Sequence, residues 1–246
     1  MMRHSLQGHR ILVTRAVDDS ARWASRFAEA GAETVILPCL SFESIADDST
    51  RATLVDAVQH TDWLLLTSPR GAEATAQLLG SERLPSTVRV GVVGPATGRV
   101  AAARLGRVDL VAMQQSAAGL AQELVALHRA GARGPRGVIA TSAIATDAAP
   151  AILRSAGWEA RDVVVYRTIP AAPTAPRRDL AADRIDVIVL ASPSAVTGLL
   201  RVANVPTSAR IVTIGPTTSQ AAVAAGLTVA REANEPTFEG ILEAIG

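Results

Sequence analysis

The 246-residue chain contains no lysine, and all 24 of its basic residues are arginines. Neither a Schiff-base lysine nor the lysine of a phosphate-binding P-loop is therefore available, because both chemistries need a primary amine at the site. Cysteine is nearly absent too. Cys39 stands alone, cannot form an intramolecular disulfide, suits a reducing compartment, and is accounted for as a small buried thiol. Acidic residues number 23, which leaves a net charge of +1. That balance excludes a strongly basic nucleic-acid binder and leaves any anion recognition to local arginine clusters. No stretch approaches the ~20 apolar residues of a membrane span, and residues 1–10 hold no apolar signal core, so a cytoplasmic protein without membrane contact is expected. Also missing are G-x-S-x-G, H-E-x-x-H, C-x-x-C and a G-x-G-x-x-G after the first strand. The four histidines, His4, His9, His60 and His128, have no metal-ligand spacing, and a buried or solvated ring explains each.

What is present is a duplication. Asp62-Trp63-Leu64-Leu65-Leu66-Thr67-Ser68-Pro69 returns 124 residues later as Asp186-Val187-Ile188-Val189-Leu190-Ala191-Ser192-Pro193. Val90-Gly91-Val92-Val93-Gly94-Pro95-Ala96-Thr97 returns 121 residues later as Ile211-Val212-Thr213-Ile214-Gly215-Pro216-Thr217-Thr218. A fainter echo pairs Arg10-Ile11-Leu12-Val13 with Arg136-Gly137-Val138-Ile139, and Gly31 with Gly157, at a spacing of 126. With 48% hydrophobic residues and a half-length repeat, two modest cores are expected, with two related half-sites facing each other.

Short β-branched or leucine runs alternate with alanine-rich amphipathic stretches, the rhythm of parallel sheets covered by helices. Strands are predicted over residues 10–14, 33–37, 62–67, 88–93, 108–111, 137–141, 160–166, 186–190, 209–214 and 227–230, which divide into two five-stranded sheets. Helices are predicted over 20–30, 70–79, 96–105, 117–130, 146–156, 195–202, 217–225 and 238–245. Glycines 31, 106, 131, 157 and 226 stand where a left-handed cap ends a helix. Two elongated segments, 38–45 and 163–170, occupy equivalent places in the repeats and suit a paired two-stranded linker. The proline-rich run at 170–176 reads as an exposed connection or a plain surface loop.

Both repeats put hydroxyls and glycines just past a strand's carboxyl end, where open α/β sheets bind ligands. Thr67-Ser68-Pro69, Ser192-Pro193-Ser194, Gly94-Pro95-Ala96-Thr97 and Gly215-Pro216-Thr217-Thr218 each end a strand and open a helix. Free N–H groups there, aided by the helix dipole, favour carboxylate or phosphate, although capping alone explains any single hydroxyl. Tyr166 is the only tyrosine. Its phenol could give a proton to a leaving group, or its ring could simply pack on a strand.

In order and spacing, several of these pieces resemble the uroporphyrinogen-III synthase family. They are Leu12-Val13-Thr14-Arg15, Leu37-Pro38-Cys39-Leu40-Ser41-Phe42-Glu43, Leu66-Thr67-Ser68, Val93-Gly94-Pro95-Ala96-Thr97, Val165-Tyr166-Arg167-Thr168, Ala191-Ser192-Pro193-Ser194-Ala195-Val196 and Ile214-Gly215-Pro216-Thr217-Thr218. The resemblance implies two flavodoxin-like parallel-sheet domains, residues 1–38 with 169–246 and residues 46–160, joined by a two-stranded β-ladder at 39–45 and 161–168. It implies closure of the linear tetrapyrrole hydroxymethylbilane, which carries eight carboxylates, with inversion of ring D and loss of water, and without metal or other cofactor. Tyr166 matches the tyrosine that assists departure of the hydroxyl group. Thr14, Arg15, Thr67, Ser68, Gly94, Thr97, Ser192, Ser194, Gly215, Thr217 and Thr218 match substrate-binding positions. A transient contact with the preceding pathway enzyme is a further expectation. The chain departs from the family at Arg70, where an asparagine is common, and at Thr141-Ser142-Ala143, where an Arg-Gly pair is common. Two other readings remain open at this point: a two-lobed anion-binding module, and a regulatory protein that kept the fold without the activity.

Overall fold

A computed structural model describes residues 6–131, 134–145 and 147–246, with the backbone alone for Asp18; His4 and the predicted helix start at residue 146 lie outside them. The described strands are β1 (Arg10–Val13), β2 (Glu33–Ile36), β3 (Leu40–Ser44), β4 (Trp63–Leu66), β5 (Arg89–Val92), β6 (Leu110–Val111), β7 (Arg136–Ser142), β8 (Glu159–Pro170), β9 (Arg178–Asp179), β10 (Val187–Leu190), β11 (Ala203–Asn204), β12 (Arg210–Thr213) and β13 (Val229–Glu232). The helices are α1 (Val17–Glu29), α2 (Asp48–Gln59), α3 (Pro69–Leu79), α4 (Pro95–Leu105), α5 (Ala117–Arg129), α6 (Ala148–Ser155), α7 (Pro193–Val202), α8 (Pro216–Ala224) and α9 (Phe238–Ile245). The chain forms two compact units: one runs to Phe42 and resumes at Thr168, and the other is Glu43–Arg167.

The first unit holds a five-stranded sheet in the order β13-β12-β10-β1-β2, every pair parallel. Its inner strands are apolar on both faces, as a sheet covered on both sides requires. Leu12, Ile188, Leu190 and Ile211 face a core completed by Leu199 of α7. Ile11, Val13, Val187, Val189 and Val212 face the opposite core, with Trp23, Phe27 and Phe238. The strict alternation is the period-2 geometry of strands, and each fully buried aliphatic side chain contributes roughly 1.5–3 kcal/mol.

The second unit repeats the plan. In the order β3-β8-β7-β4-β5-β6, Leu64, Leu66, Val90, Val92, Val138 and Ala140 face one core, while Trp63, Leu65 and Ile139 face another. Its register duplicates that of the first unit. Ile11 pairs with Val187 and Gly137 with Trp63; Arg10 pairs with Glu33 and Arg136 with Glu159. Even the polar clamp at the strand starts recurs, with Asp186 Oδ2 accepting from the Arg10 N–H at 2.8 Å and Asp62 Oδ2 from the Arg136 N–H at 3.3 Å. Each sheet therefore takes two strands from one repeat and three from the other, and the second unit's sheet adds β3 at its edge.

The structure adds elements that the sequence reading lacks. Helix α2 falls between two predicted strands; Asp47 caps it by accepting from the Thr50 N–H at 2.7 Å, and Leu54, Ala57 and Val58 form its buried stripe. Ser49, Thr50 and Thr53 weaken its helix propensity and hid it. Helix α1 starts at Val17 rather than at residue 20. β3 joins the second unit's sheet as a sixth strand, and β9 pairs with β11 beyond the proline-rich run. β3 and β8 are antiparallel, since Ile45 N–H donates to Val165 O at 2.9 Å and Ala171 N–H to Cys39 O at 2.8 Å. The five cap glycines have φ between +81° and +92°.

The Cys39 thiol is buried, and burial pushes its pKa up to about 12. It should resist iodoacetamide at pH 8 in the native protein and react once urea unfolds the chain; equal labelling rates in both states would contradict its burial. Two helix-interior glycines should respond oppositely to alanine. A Cβ on Gly198 would lie 1.6 Å from the Cys39 carbonyl oxygen, whereas one on Gly98 would meet only Val92 Cγ2 at 3.5 Å and Val111 Cγ2 at 3.9 Å. Gly198→Ala should cost about 1–3 kcal/mol or more in urea unfolding, and Gly98→Ala should gain up to about 1 kcal/mol.

Candidate active site

Parallel strands all end at one edge of their sheet, so each unit collects its hydroxyl and glycine corners along that carboxyl edge. In the second unit, Leu66 ends β4 and Ser68 caps α3, its Oγ accepting from the Gly71 N–H at 2.9 Å. Thr67 Oγ1 donates to Ala140 O at 3.4 Å. Gly94 opens α4 and Thr97 lies buried in its first turn. Tyr166 stands on β8, half-buried against the core, with its Oη 3.1 Å from Ser68 Oγ. The strand bulges between the rungs Thr141–Val164 and Ser142–Tyr166, and Ala143 N–H donates to Tyr166 O at 3.0 Å, which fixes the residue in that place.

The two hydroxyls form a short relay. Ser68 Oγ takes the Gly71 N–H and keeps its own hydrogen, so either hydroxyl can donate across the 3.1 Å that separates Ser68 Oγ from Tyr166 Oη. The phenol thus lies at the amino end of α3, where the helix dipole favours developing negative charge on its oxygen.

In the first unit, Thr14 is fully buried at the end of β1, and its Oγ1 donates to Val189 O at 2.7 Å. Its hydroxyl tethers adjacent strands. Arg15 follows at the edge, with Nη2 3.2 Å from Asp19 Oδ2 and the guanidinium 4.6 Å from the Trp23 ring centroid. Its Nε is buried with no hydrogen-bond partner among the described residues. Ser192 caps α7 by accepting from the Ala195 N–H at 3.2 Å, and Ser194 is half-buried one residue beyond Pro193. Gly215 opens α8, Thr217 is exposed, and Thr218 is buried.

The two glycine corners differ in cover. Gln115 Oε1 lies 3.1 Å from where a Gly94 Cβ would be, whereas nothing lies within 4 Å of that point on Gly215. Gln115 lies in the loop after β6 and carries no motif, so nothing in the sequence pointed to it. Ser142, which ends β7 beside Tyr166, was visible only as a departure from a family pattern.

A family model described as uroporphyrinogen-III synthase HemD matches residues 21–243. The chain belongs to the uroporphyrinogen-III synthase family. A uroporphyrinogen-III synthase of Synechococcus elongatus is 30% identical over 114 residues, 45% of this chain and 43% of that protein. A porphyrin biosynthesis protein HemD of Ruminiclostridium josui is 26% identical over 234 residues, 90% of this chain and 45% of that protein. The chain therefore spans less than half the length of these two relatives. The crystal structure of uroporphyrinogen-III synthetase from Helicobacter pylori superposes with a TM-score of 0.58 at 14% identity, covering 96% of both chains. A mutant uroporphyrinogen III synthase from Thermus thermophilus gives 0.56 at 14% identity, covering 97% of both. These likenesses show a shared α/β fold. No helix among the described residues is long and apolar enough to cross a membrane.

Ser68→Ala removes a helix cap and a phenol contact together, whereas Ser192→Ala removes only the cap. Ser192→Ala should cost ~1 kcal/mol, and Ser68→Ala a further ~0.5–1.5 kcal/mol. In urea unfolding, the double variant Ser68→Ala/Tyr166→Phe should lose less than the sum of its single variants. Strict additivity would mean that the two hydroxyls are not coupled.

Proposed function

We propose that this chain closes hydroxymethylbilane into uroporphyrinogen III, with inversion of ring D and loss of water. The family match over residues 21–243 carries the reading, and the placement of Tyr166 at the amino end of α3 supports it. In this account Tyr166 is the catalytic residue. Its O–H gives a proton to the departing hydroxyl group of ring A, which leaves as water, and the phenolate is held by Ser68 and the α3 dipole. The resulting azafulvenium cation is already reactive. The α-carbon of ring D that carries the link to ring C attacks it to form the spiro intermediate; the old link then breaks to leave a ring C azafulvenium cation, the other α-carbon of ring D captures that cation, and the proton this carbon sheds on regaining aromaticity restores the phenol.

The remaining chemistry is positioning. Substrate carboxylates are recognised by Thr67, Ser68, Gly94 and Thr97 in one unit and by Thr14, Arg15, Ser192, Ser194, Gly215, Thr217 and Thr218 in the other. Hydroxyls and helix amino ends suit such anions. Arg15 has a second task in this reading, because its pairing with Asp19 already meets part of its charge. The same reading divides the chain into domains 1–38 with 169–246 and 46–160, with 39–45 and 161–168 as the connecting ladder; the antiparallel hydrogen bonds of β3 and β8 support it. It assigns a lyase without metal or cofactor, working in the cytoplasm, with transient contact to the enzyme that supplies its substrate.

Purified protein given hydroxymethylbilane should yield the III isomer with or without a chelator. A product consisting only of the I isomer, which forms spontaneously, would favour a non-catalytic binding protein. Tyr166→Phe should lose roughly 10- to 1000-fold in kcat while keeping the III isomer, the value of one assisting proton donor. Thr97→Ala or Thr218→Ala should lower kcat/KM by about tenfold, since a hydrogen bond to a charged group is worth ~1.5–3 kcal/mol. Full activity in folded Tyr166→Phe would return that ring to a packing role.

A further inference from the structure

The two repeats serve as internal controls for each other, and at one place their chemistry diverges. In the first unit, Thr213 ends β12 fully buried, and its Oγ1 lies 2.7 Å from Ser219 Oγ in the second turn of α8. Ser219 Oγ donates in turn to Glu232 Oε2, at the end of β13. In the second unit the places of Thr213 and Ser219 are held by Val92 and Gly98, an apolar pair with no hydroxyl.

The direction of this chain of hydrogen bonds follows from donor counting. A carboxylate only accepts, so Ser219 spends its single hydrogen on Glu232, and the hydrogen between Thr213 and Ser219 comes from Thr213, whose other acceptor, Arg231 O, lies farther off at 3.5 Å. The Thr213–Ser219 bond joins the two sides of the loop Ile214-Gly215-Pro216-Thr217-Thr218, closing a ring of a few residues around it. Within the loop, Thr218 N–H and Ser219 N–H both turn back to Gly215 O, at 3.0 and 3.1 Å. The corner is thus held from the strand side by side chains. A Cβ placed on Gly215 would meet nothing within 4 Å. The second unit's corner differs, with Val92 and Gly98 at the two bridge positions and the Gln115 side chain over Gly94.

We propose that Ser219 and Glu232 are positioning residues for the Gly215–Thr218 corner, holding its groups in place for a substrate carboxylate. The inference rests on the reading of that corner as a carboxylate-binding site. A corner fixed before binding loses less conformational freedom when the anion arrives, so breaking the bridge weakens substrate binding more than the chemical step. Neither residue touches the reacting atoms.

The test is steady-state turnover of hydroxymethylbilane by Ser219→Ala, Glu232→Ala and Glu232→Gln, with amide hydrogen exchange at residues 215–219 measured on the same proteins. Ser219→Ala and Glu232→Ala should raise KM about 3- to 10-fold with kcat within about twofold, and should speed exchange in the corner. Glu232→Gln, whose amide oxygen still accepts from Ser219, should recover most of the wild-type KM. An unchanged KM, a fall confined to kcat, or a Gln variant as impaired as the Ala variant would overturn the proposal. If the wild-type protein makes no III isomer, the reading of the reaction fails. The exchange data then still decide the positioning role: unaltered exchange at 215–219 in Ser219→Ala refutes it, and faster exchange that Glu232→Gln does not share supports it.

Discussion

Each sheet is closed at its centre by a ladder between strands of opposite repeats, Ile11 to Val187 in one unit and Gly137 to Trp63 in the other. Everything at the carboxyl edges depends on these ladders. If the five parallel strands of each sheet are numbered 1 to 5, both read 2-1-3-4-5, with strands 1 and 2 from one repeat and 3 to 5 from the other, and β3 lies outside strand 2 in the second sheet. That exchange sets Thr14 against Val189, 175 residues away, and Ser68 against Tyr166, 98 residues away. A one-residue slip in either ladder would turn every apolar side chain of the strand to the wrong face, so the two-sided cores hold the register. The polar clamps of Asp186 on Arg10 and Asp62 on Arg136 mark the same register at the opposite edge.

Within this common frame, the units carry different chemistry at equivalent places. The position of Tyr166 is taken in the other repeat by Leu40, which is buried in its own core. The position of Thr14 is taken by Ala140, whose carbonyl accepts from Thr67. Thr213 and Ser219 replace an apolar pair. The duplicated fold holds two sets of helix amino ends, and a few differences between the repeats leave one set with a phenol and the other with a hydroxyl bridge. The backbone geometry that both share, a serine cap on α3 and on α7 and an extended glycine before α4 and α8, changed little.

The sequence by itself determined the duplication, the α/β class, the helix-ending glycines and the corners that end one strand and open a helix. These features are local: a four-residue apolar run, a Ser-Pro cap or a left-handed glycine is legible from its neighbours alone. It also contained α2, through the spacing of Leu54, Ala57 and Val58 behind the Asp47 cap, although threonines and a serine obscured the signal. Which hydroxyl meets which partner was decided only by tertiary structure. Tyr166 reaches Ser68 because β8 lies beyond β7 and bulges there; Ser219 reaches Glu232 because β13 lies beside β12; Gln115 covers Gly94 because the loop after β6 returns over α4. Arg15 reads in the sequence only as a residue at the end of the first strand, and the fold sets it beside Asp19 and Trp23. Such pairings are set by strand order and register, which arise from the packing of whole sheets and leave no mark on the few residues they bring together.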